Sequence, residues 1–399
     1  MSPNRGLTAS KVFPAVKRSI LLAVPLLAAA GMTACGPTSQ AHTTSAPPAT
    51  SAASQAPLPN PAPPSKDTVG ADVYAAASAG ELAPQTRNAK SLVYVADSSG
   101  NGYDIIDQRT MKLVKHRTTT SGSSGPQHVV PGWDLTTLYA TDSSAGTLTP
   151  IDPRSGANGT ALPVSDAYDL SFTPDGRYAV VIDKDKQELD FRDPHTFTLL
   201  KTLKLNCAGP ESIDYTADDQ YAVLSCEFGS KLVRIDLSTL SVTGTLNIGG
   251  MPEQVRLDPL GQLFYVADLS AGGVHEIDAA TFRQIGFLPT GRGTHGIVVS
   301  RDSSSLYVTN RTSGTVSVLD VVSRRITATW KVGGSPDLAG LSANGNVLWL
   351  ADTYGNTVYA LSTKDGAVLA KIPVGNGPLG LTVWPQPGRY ALGGTGTLR

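Results

Sequence analysis

LYVTNRTSGTVSVLD, residues 306–320, decides the fold because the chain keeps repeating it. Versions of it read FYVADLSAGGVHEID, ending at Asp278, and VYVADSSGNGYDIID, ending at Asp107. The aspartates that end the copies fall at Asp107, Asp152, Asp193, Asp236, Asp278 and Asp320, and Ser362 stands in the seventh place. The steps are 45, 41, 43, 42, 42 and 42 residues. Self-similarity at such a period is the mark of a stacked repeat architecture.

Each copy has the same internal order. A Gly-Pro-like lead such as Gly209-Pro210 precedes an apolar segment, SIDYT at 212–216. A turn follows: TPDG at 173–176, TADD at 216–219, DPLG at 258–261. Next come a strand such as LYVTN, a Gly-containing turn, a strand such as TVSVLD, and a D-x-x-T/S turn, as in Asp236/Thr239, Asp278/Thr281 and Asp320/Ser323. Short oxygen side chains bond the amides of such turns. A final strand, ITATWKV at 326–332, closes the unit. This spacing predicts four short antiparallel strands in about 42 residues, with no sustained helical periodicity.

One sheet of that size cannot cover both of its faces. Tyr307, Val308, Val316, Val318 and Leu319 are apolar on both sides of their strands. Neighbouring units must therefore stack, and seven of them close into a ring, an all-β, seven-bladed β-propeller of four-stranded antiparallel blades. LYVTN (306–310), FTPDGRY (172–178) and GTVSVLD (314–320) resemble the YVTN-type propeller family, from Ser91 to about Pro385. The WD and GH signatures of another propeller family are missing. The motif is structural, so the resemblance implies a fold and says little of chemistry. The first copy begins at its second strand, Val93-Tyr94-Val95, and the last overshoots into Leu381-Thr382-Val383-Trp384. The C-terminal strand is therefore expected to complete blade one. The propeller is assigned to residues 91–399, preceded by an extension at 66–90, with the tail Gly388–Arg399 outside the repeat.

The N-terminus is read apart from the fold. Arg5, Lys11, Lys17 and Arg18 precede the apolar run ILLAVPLLAAAG (20–31), which is shorter than the ~20 residues a membrane span needs. Thr33-Ala34-Cys35 follows, and the segment resembles a bacterial lipoprotein signal with its lipobox, although Met32 replaces the more usual Leu. The resemblance implies a signal peptide at 1–34 and lipidation of Cys35. Residues 36–65 are mostly Ser, Thr, Ala, Pro and Gln with no Lys, Arg, Asp or Glu, which makes 35–65 a disordered tether. The expected location is the outer face of a cytoplasmic membrane, with the lipid as the sole membrane contact and a monomeric body.

A formal net charge of −1 gives no basic field for nucleic acid. Besides Cys35, only Cys207 and Cys226 remain, and in an oxidising compartment they read first as a disulfide. They flank a hairpin that turns near Asp218, so a bridge is geometrically reasonable. Closing it would stabilise by roughly 3 kcal/mol in the chain-entropy view. A redox pair would want C-x-x-C spacing. Asp214 and Arg256 share a register on adjacent inner strands and suit a structural ion pair. Trp133, Trp330, Trp349 and Trp384 read as blade packing.

Chemistry, if present, belongs at the mouth formed by the loops that lead into the inner strands. The residue after the leading Pro, or its equivalent, is Gln127, Asp169, Glu211, Glu253, His295, Asp337 and Leu379, each 42 residues on. His128 lies beside the first. Two carboxylates ~8 Å apart at an effective dielectric of ~20 repel by about 2 kcal/mol. Such a ring must take up protons or bind a cation. Asp169, Glu211, Glu253, His295 and Asp337 offer oxygen with one imidazole, a set that suits Ca²⁺ or Mg²⁺ better than copper or zinc. The competing reading is solvated loop polarity, and a slip of one residue would turn these side chains away. With His42 in the tether and His116, His195 and His275 in outer strands or turns, a polyhistidine copper site is excluded, and no C-x-x-C-H exists for haem. The chain is also similar to streptogramin lyases and lactonases, which implies an alternative in which Glu211, Glu253 and His295 supply acid and base groups. The first expectation is a binding or scaffold module for a protein, a cell-envelope component or a small ligand. The second is a divalent-metal-dependent lyase or lactonase.

Overall fold

The computed structural model describes residues 72–119, 124–394 and 396–399, all within one compact unit, Leu58–Arg399. The expected signal peptide, the expected lipid-anchor Cys35 and the expected tether lie outside the described residues. No helix among the described residues is long and apolar enough to cross a membrane.

The repeat is a blade, as its spacing implies. In blade six the strands Thr294–Val299, Ser305–Asn310, Thr315–Asp320 and Arg325–Lys331 follow one another outward as an antiparallel meander. Blades four, five and seven repeat this order, and blade three does so before an addition described below. In blade two the outer strand is broken into Ala157–Asn158 and Leu162–Pro163, both paired to Thr147–Asp152. Blade one is closed by the chain's far end: Pro378–Trp384 pairs with Leu92–Asp97, Val93 opposite Val383.

Side-chain alternation explains why the quoted stretch is apolar throughout. Leu306, Val308 and Leu319 pack with Leu263, Tyr265 and Ile297 toward blade five. Tyr307, Val316 and Val318 pack with Ala339, Leu348, Leu350 and Leu361 toward blade seven. Each strand thus supplies one side chain in two to each neighbour, and the second strands are buried on both faces. Outer strands lose one neighbour, and Arg325–Lys331 alternates accordingly between half-buried and exposed positions. Trp349 and Trp384 are core residues at the closing seam and beside it, and Trp133 stacks on Tyr390. Trp330, half-buried on an outer strand, lies against Tyr307.

The repeated aspartates hold the outer turns. Asp107, Asp236, Asp278 and Asp320 each accept the backbone N–H and the hydroxyl of Thr110, Thr239, Thr281 and Ser323 respectively. In blade seven the order is reversed: Ser362 holds the aspartate's place and hydrogen-bonds Asp365.

The segments outside the repeat cover the face opposite the mouth. Val73 N–H donates to Pro259 O at 2.9 Å, and the Tyr74 hydroxyl donates to Leu257 O at 3.0 Å. Leu82 bridges to Pro387. The tail strand Ala391–Gly393 then adds to the channel side of blade three's inner strand, Ala167–Phe172, with Gly393 opposite Ser171. Arg399 is buried there, its guanidinium on Asp214 Oδ1 at 2.9 Å and Tyr215 O at 2.7 Å. The expected Arg256–Asp214 pair is present at 3.9 Å, so Asp214 serves two arginines. Cys207 and Cys226 form the expected disulfide.

Candidate functional site

The inner strands do not run regularly past the mouth. In blades four to seven the ladder shifts at Glu211-Ser212, Glu253-Gln254, His295-Gly296 and Asp337-Leu338. Such bulges re-aim side chains, so two successive residues can face the channel where strict alternation allows one. A hydroxyl from the second strand holds the bulge in alternate blades. Thr309, the threonine of LYVTN, accepts from Gly296 N–H at 2.7 Å and donates to Asp337 O of the next blade at 2.6 Å. Ser225 does the same between Ser212 N–H and Glu253 O, and Thr141 between His128 N–H and Tyr168 O. The repeat motif therefore fixes the mouth residues relative to one another.

Four of the seven register residues converge with basic partners. His295 Nδ1 is 2.7 Å from Asp337 Oδ1, and its Nε2 is 3.4 Å from Glu253 Oε2. The Nδ1 contact is close but poorly aligned, so it acts as an ion pair more than as a directed hydrogen bond. Asp337 Oδ2 also meets Arg311 at 2.6 Å and the Thr353 hydroxyl at 2.5 Å. Glu211 is bound by Lys184 and by the Tyr168 hydroxyl, and Lys184 also meets Glu227 at 2.8 Å. The Lys184 ammonium sits 4.2 Å from the centre of the Tyr168 ring.

Gln127 is turned away: its amide braces its own loop through Gly125 O and Ser143 N–H. Leu379 is half-buried and apolar. Asp169 Oδ1 accepts the N–H of Leu170, and His128 opposes the rise that burial imposes on the Asp169 carboxyl. His128 is 5% exposed, and neither ring nitrogen has a hydrogen-bond partner among the described residues. Its ring meets the Tyr168 ring edge-on at 5.5 Å, and a Cβ at Gly380 would lie 2.5 Å from its Nδ1. His128, Asp169, Glu211, Ser212, Gln254, Arg256 and His295 line one narrow recess, with Gly394 and Thr397 of the tail on its floor.

The basic partners and Thr353 were not singled out from the sequence, yet they share a position. The residue that follows each second strand is Ser98, Ser143, Lys184, Glu227, Leu269, Arg311 and Thr353. Lys184, Arg311 and Thr353 of this second ring each meet a carboxylate of the first.

The local chemistry follows from burial and pairing. Burial pushes the Glu253 carboxyl up to about 8, reinforced by Glu211 and Glu227 and opposed by His295. Burial also raises Asp169. Burial works against the charged forms of Glu211 and Asp337 too, but Lys184 holds the first, and His295 with Arg311 the second, below the ordinary carboxylate range. Burial would lower His295, and Asp337 with Glu253 overcome it and raise its value. The repulsion expected of the ring is thus met by a proton on Glu253 and by the protein's own cations.

The residues named for a divalent ion do not form a single ligand set. Glu211, Glu227 and Glu253 bring carboxylate oxygens within 4.8 Å of one another, whereas Asp337 is engaged by His295 and Arg311 and Asp169 faces His128. An ion held by the three glutamates would take the place of the Lys184 ammonium between Glu211 and Glu227.

No curated protein matches the chain. Solved structures share the fold. A functionally unknown protein from Desulfotomaculum acetoxidans superposes with a TM-score of 0.64 at 15% identity, over 73% of this chain and 98% of that one. Hydrazine synthase from Kuenenia stuttgartiensis gives 0.57 at 17% over 63% and 88%, and the dihydro-heme d1 dehydrogenase NirN gives 0.57 at 14% over 82% and 83%. The family model for YNCE-like beta-propellers matches residues 69–383. Its span takes in every blade and the closing strand, and the chain belongs to that family.

Proposed function

We propose that this chain is a lipid-anchored, extracytoplasmic binding module that takes a small polar solute into the channel mouth. The observation that carries this reading is His128, a buried imidazole with neither nitrogen hydrogen-bonded, beside Asp169 in a recess closed below by the tail. A buried polar group without a partner costs on the order of 1–3 kcal/mol, which a protein tolerates where a ligand supplies the partner. Ser212, Gln254 and Arg256 line the same recess and make its wall polar. The N-terminal signal and tether support the envelope location, and the body acts as a monomer.

A second reading is supported by Glu253 and His295. A carboxyl that keeps its proton near neutrality, 3.4 Å from an imidazole steadied by Asp337, is an acid–base pair of the kind a lyase or lactonase needs. The test is a thermal-shift panel of monosaccharides, amino acids, polyamines and dicarboxylates on wild type and His128→Leu, followed by calorimetric titration. Binding of one solute per chain that His128→Leu weakens at least about tenfold supports the module. Chemical conversion of a bound solute that Glu253→Gln abolishes favours the enzyme. A panel without any shift would leave the mouth without a ligand role.

A further inference from the structure

In three consecutive blades the last residue of the second strand has a hydrogen-bond partner on the third strand, and blade one departs from this pattern. In blades five, six and seven this residue is Asp268, Asn310 or Asp352, and the third strand supplies a hydrogen-bond partner to it. His275 Nε2 lies 3.0 Å from Asp268, the Asn310 side-chain N–H donates to the Ser317 hydroxyl at 3.1 Å, and the Tyr359 hydroxyl donates to Asp352 at 3.2 Å. Asp268 and Asp352 also accept backbone N–H groups of the neighbouring loops. The same place in blade one holds Asp97, and its third-strand partner is Asp104, a second carboxylate. Blade three also pairs two aspartates, but there Lys186 meets Asp183 at 2.9 Å and Arg192 meets Asp190 at 2.6 Å.

In blade one no lysine or arginine among the described residues meets the two aspartates. Asp97 is fully buried, and neither of its carboxylate oxygens has a hydrogen-bond partner among the described residues. No hydrogen bond joins it to Asp104, as a shared proton would. His116, on the outer strand Lys112–Thr118 and half-exposed, completes the group. Its Nδ1 is 2.8 Å from Asp104 Oδ1 and 3.5 Å from Asp97 Oδ2, and its Nε2 is 3.1 Å from the Asn101 side-chain oxygen. If Nε2–H donates to Asn101, Nδ1 turns its lone pair toward the two carboxylates. An oxygen that orients a metal-binding imidazole from its far nitrogen in this way is a common support.

We propose that Asp97, Asp104 and His116 bind a divalent transition-metal ion of the Zn²⁺ or Mn²⁺ class. Two carboxylates and one imidazole are a ligand set for such ions. Bonds of about 2.0–2.2 Å place tetrahedral ligands roughly 3.3–3.6 Å apart, a range the His116–Asp97 spacing of 3.5 Å meets and the His116–Asp104 contact of 2.8 Å must widen to reach. The three ligand atoms lie within 4.8 Å of one another, and the exposed imidazole gives the ion its way in. The site lies on the seam where the ring closes. Gly375 N–H donates to Asp104 Oδ2 at 2.7 Å, the Ser98 hydroxyl donates to Gly377 O at 2.7 Å, and a Cβ on Gly375 would lie 2.4 Å from Asp97. An ion there ties the loop leaving blade seven to all of blade one except its inner strand, and so steadies ring closure.

The test uses the untagged full chain, stripped with EDTA and titrated with Zn²⁺ and with Mn²⁺ by calorimetry. One ion per chain is expected, with affinity lowered about 10- to 100-fold or more in His116→Ala and in Asp104→Asn. Added ion should raise the melting temperature of wild type and leave that of His116→Ala unmoved, a readout that is valid because the exposed His116 is not part of the core. The absence of saturable binding would overturn the proposal, as would binding unchanged in His116→Ala. Binding that survives His116→Ala but is lost in Glu211→Gln/Glu227→Gln would move the ion to the mouth and overturn it equally.

Discussion

The outer turns and the channel mouth are built from the same seven copies and treat them in opposite ways. At the outer turns, Asp107, Asp236, Asp278 and Asp320 repeat one set of hydrogen bonds, each closed within its own blade. At the mouth the equivalent positions read Asp169, Glu211, Glu253, His295 and Asp337, and their bonds cross between blades, from Lys184 to Glu211 and from Arg311 to Asp337. A residue that serves its own blade meets the same surroundings seven times and can stay the same. A residue on the shared axis meets different neighbours in every blade, and there the copies are free to specialise.

The comparison is broken most forcefully at Asp337. Asp337→Asn leaves Arg311 and His295 buried beside a neutral amide and should cost about 3–5 kcal/mol in chemical denaturation. A loss below about 1 kcal/mol would mean that the mouth is no more coupled than an outer turn.

Glu253 gives the next effect, through pH. Its carboxyl is pushed up to about 8, so between the ordinary carboxylate range and that value the folded state holds a proton that the unfolded state has released. Stability must therefore fall as pH rises through this window. His295, raised by Asp337 and Glu253 against burial, adds a term of the same sign, complete below the ordinary imidazole value and lost above the folded one. Asp337, held low, contributes stability that is present at neutral pH and lost as pH falls through its folded value. The melting temperature should peak at about pH 4–5. Glu253→Gln should match wild type there and exceed it at pH 8, and an unchanged decline in the variant would refute the assignment.

Thr309 and Asp320, from one blade, give the smallest contrast. Thr309→Val strands Gly296 N–H and Asp337 O in a buried place and should cost about 2 kcal/mol. Asp320→Ala opens an exposed turn that water can satisfy and should cost about 1 kcal/mol or less. Only the first should also disturb binding at the mouth.

The ring and its closure could be read from LYVTN and its copies because burial on both faces leaves an apolar trace at period two. Glu211, Glu253, His295 and Asp337 were also legible, since a shared register of 42 residues carries them to one axis. Lys184, Glu227 and Arg311 were not, because a charged residue in a β-turn ordinarily points into water. Only the stacking of blades brings the position after each second strand back over the mouth. The tail escaped for another reason: Ala391–Gly393 and Arg399 carry no repeat pattern, and their place depends on the channel-side edge of blade three and on Asp214, which the closed ring creates.

The central claim is that the mouth binds a solute through groups its own fold leaves unsatisfied, and His128 tests it most directly. Calorimetric titration of wild type and His128→Leu with the panel solute of largest thermal shift should give one site per chain, weakened at least about tenfold by the substitution. The variant should melt no lower than wild type, because it removes a buried polar group that has no hydrogen bond to lose. Unchanged affinity in His128→Leu would contradict the account.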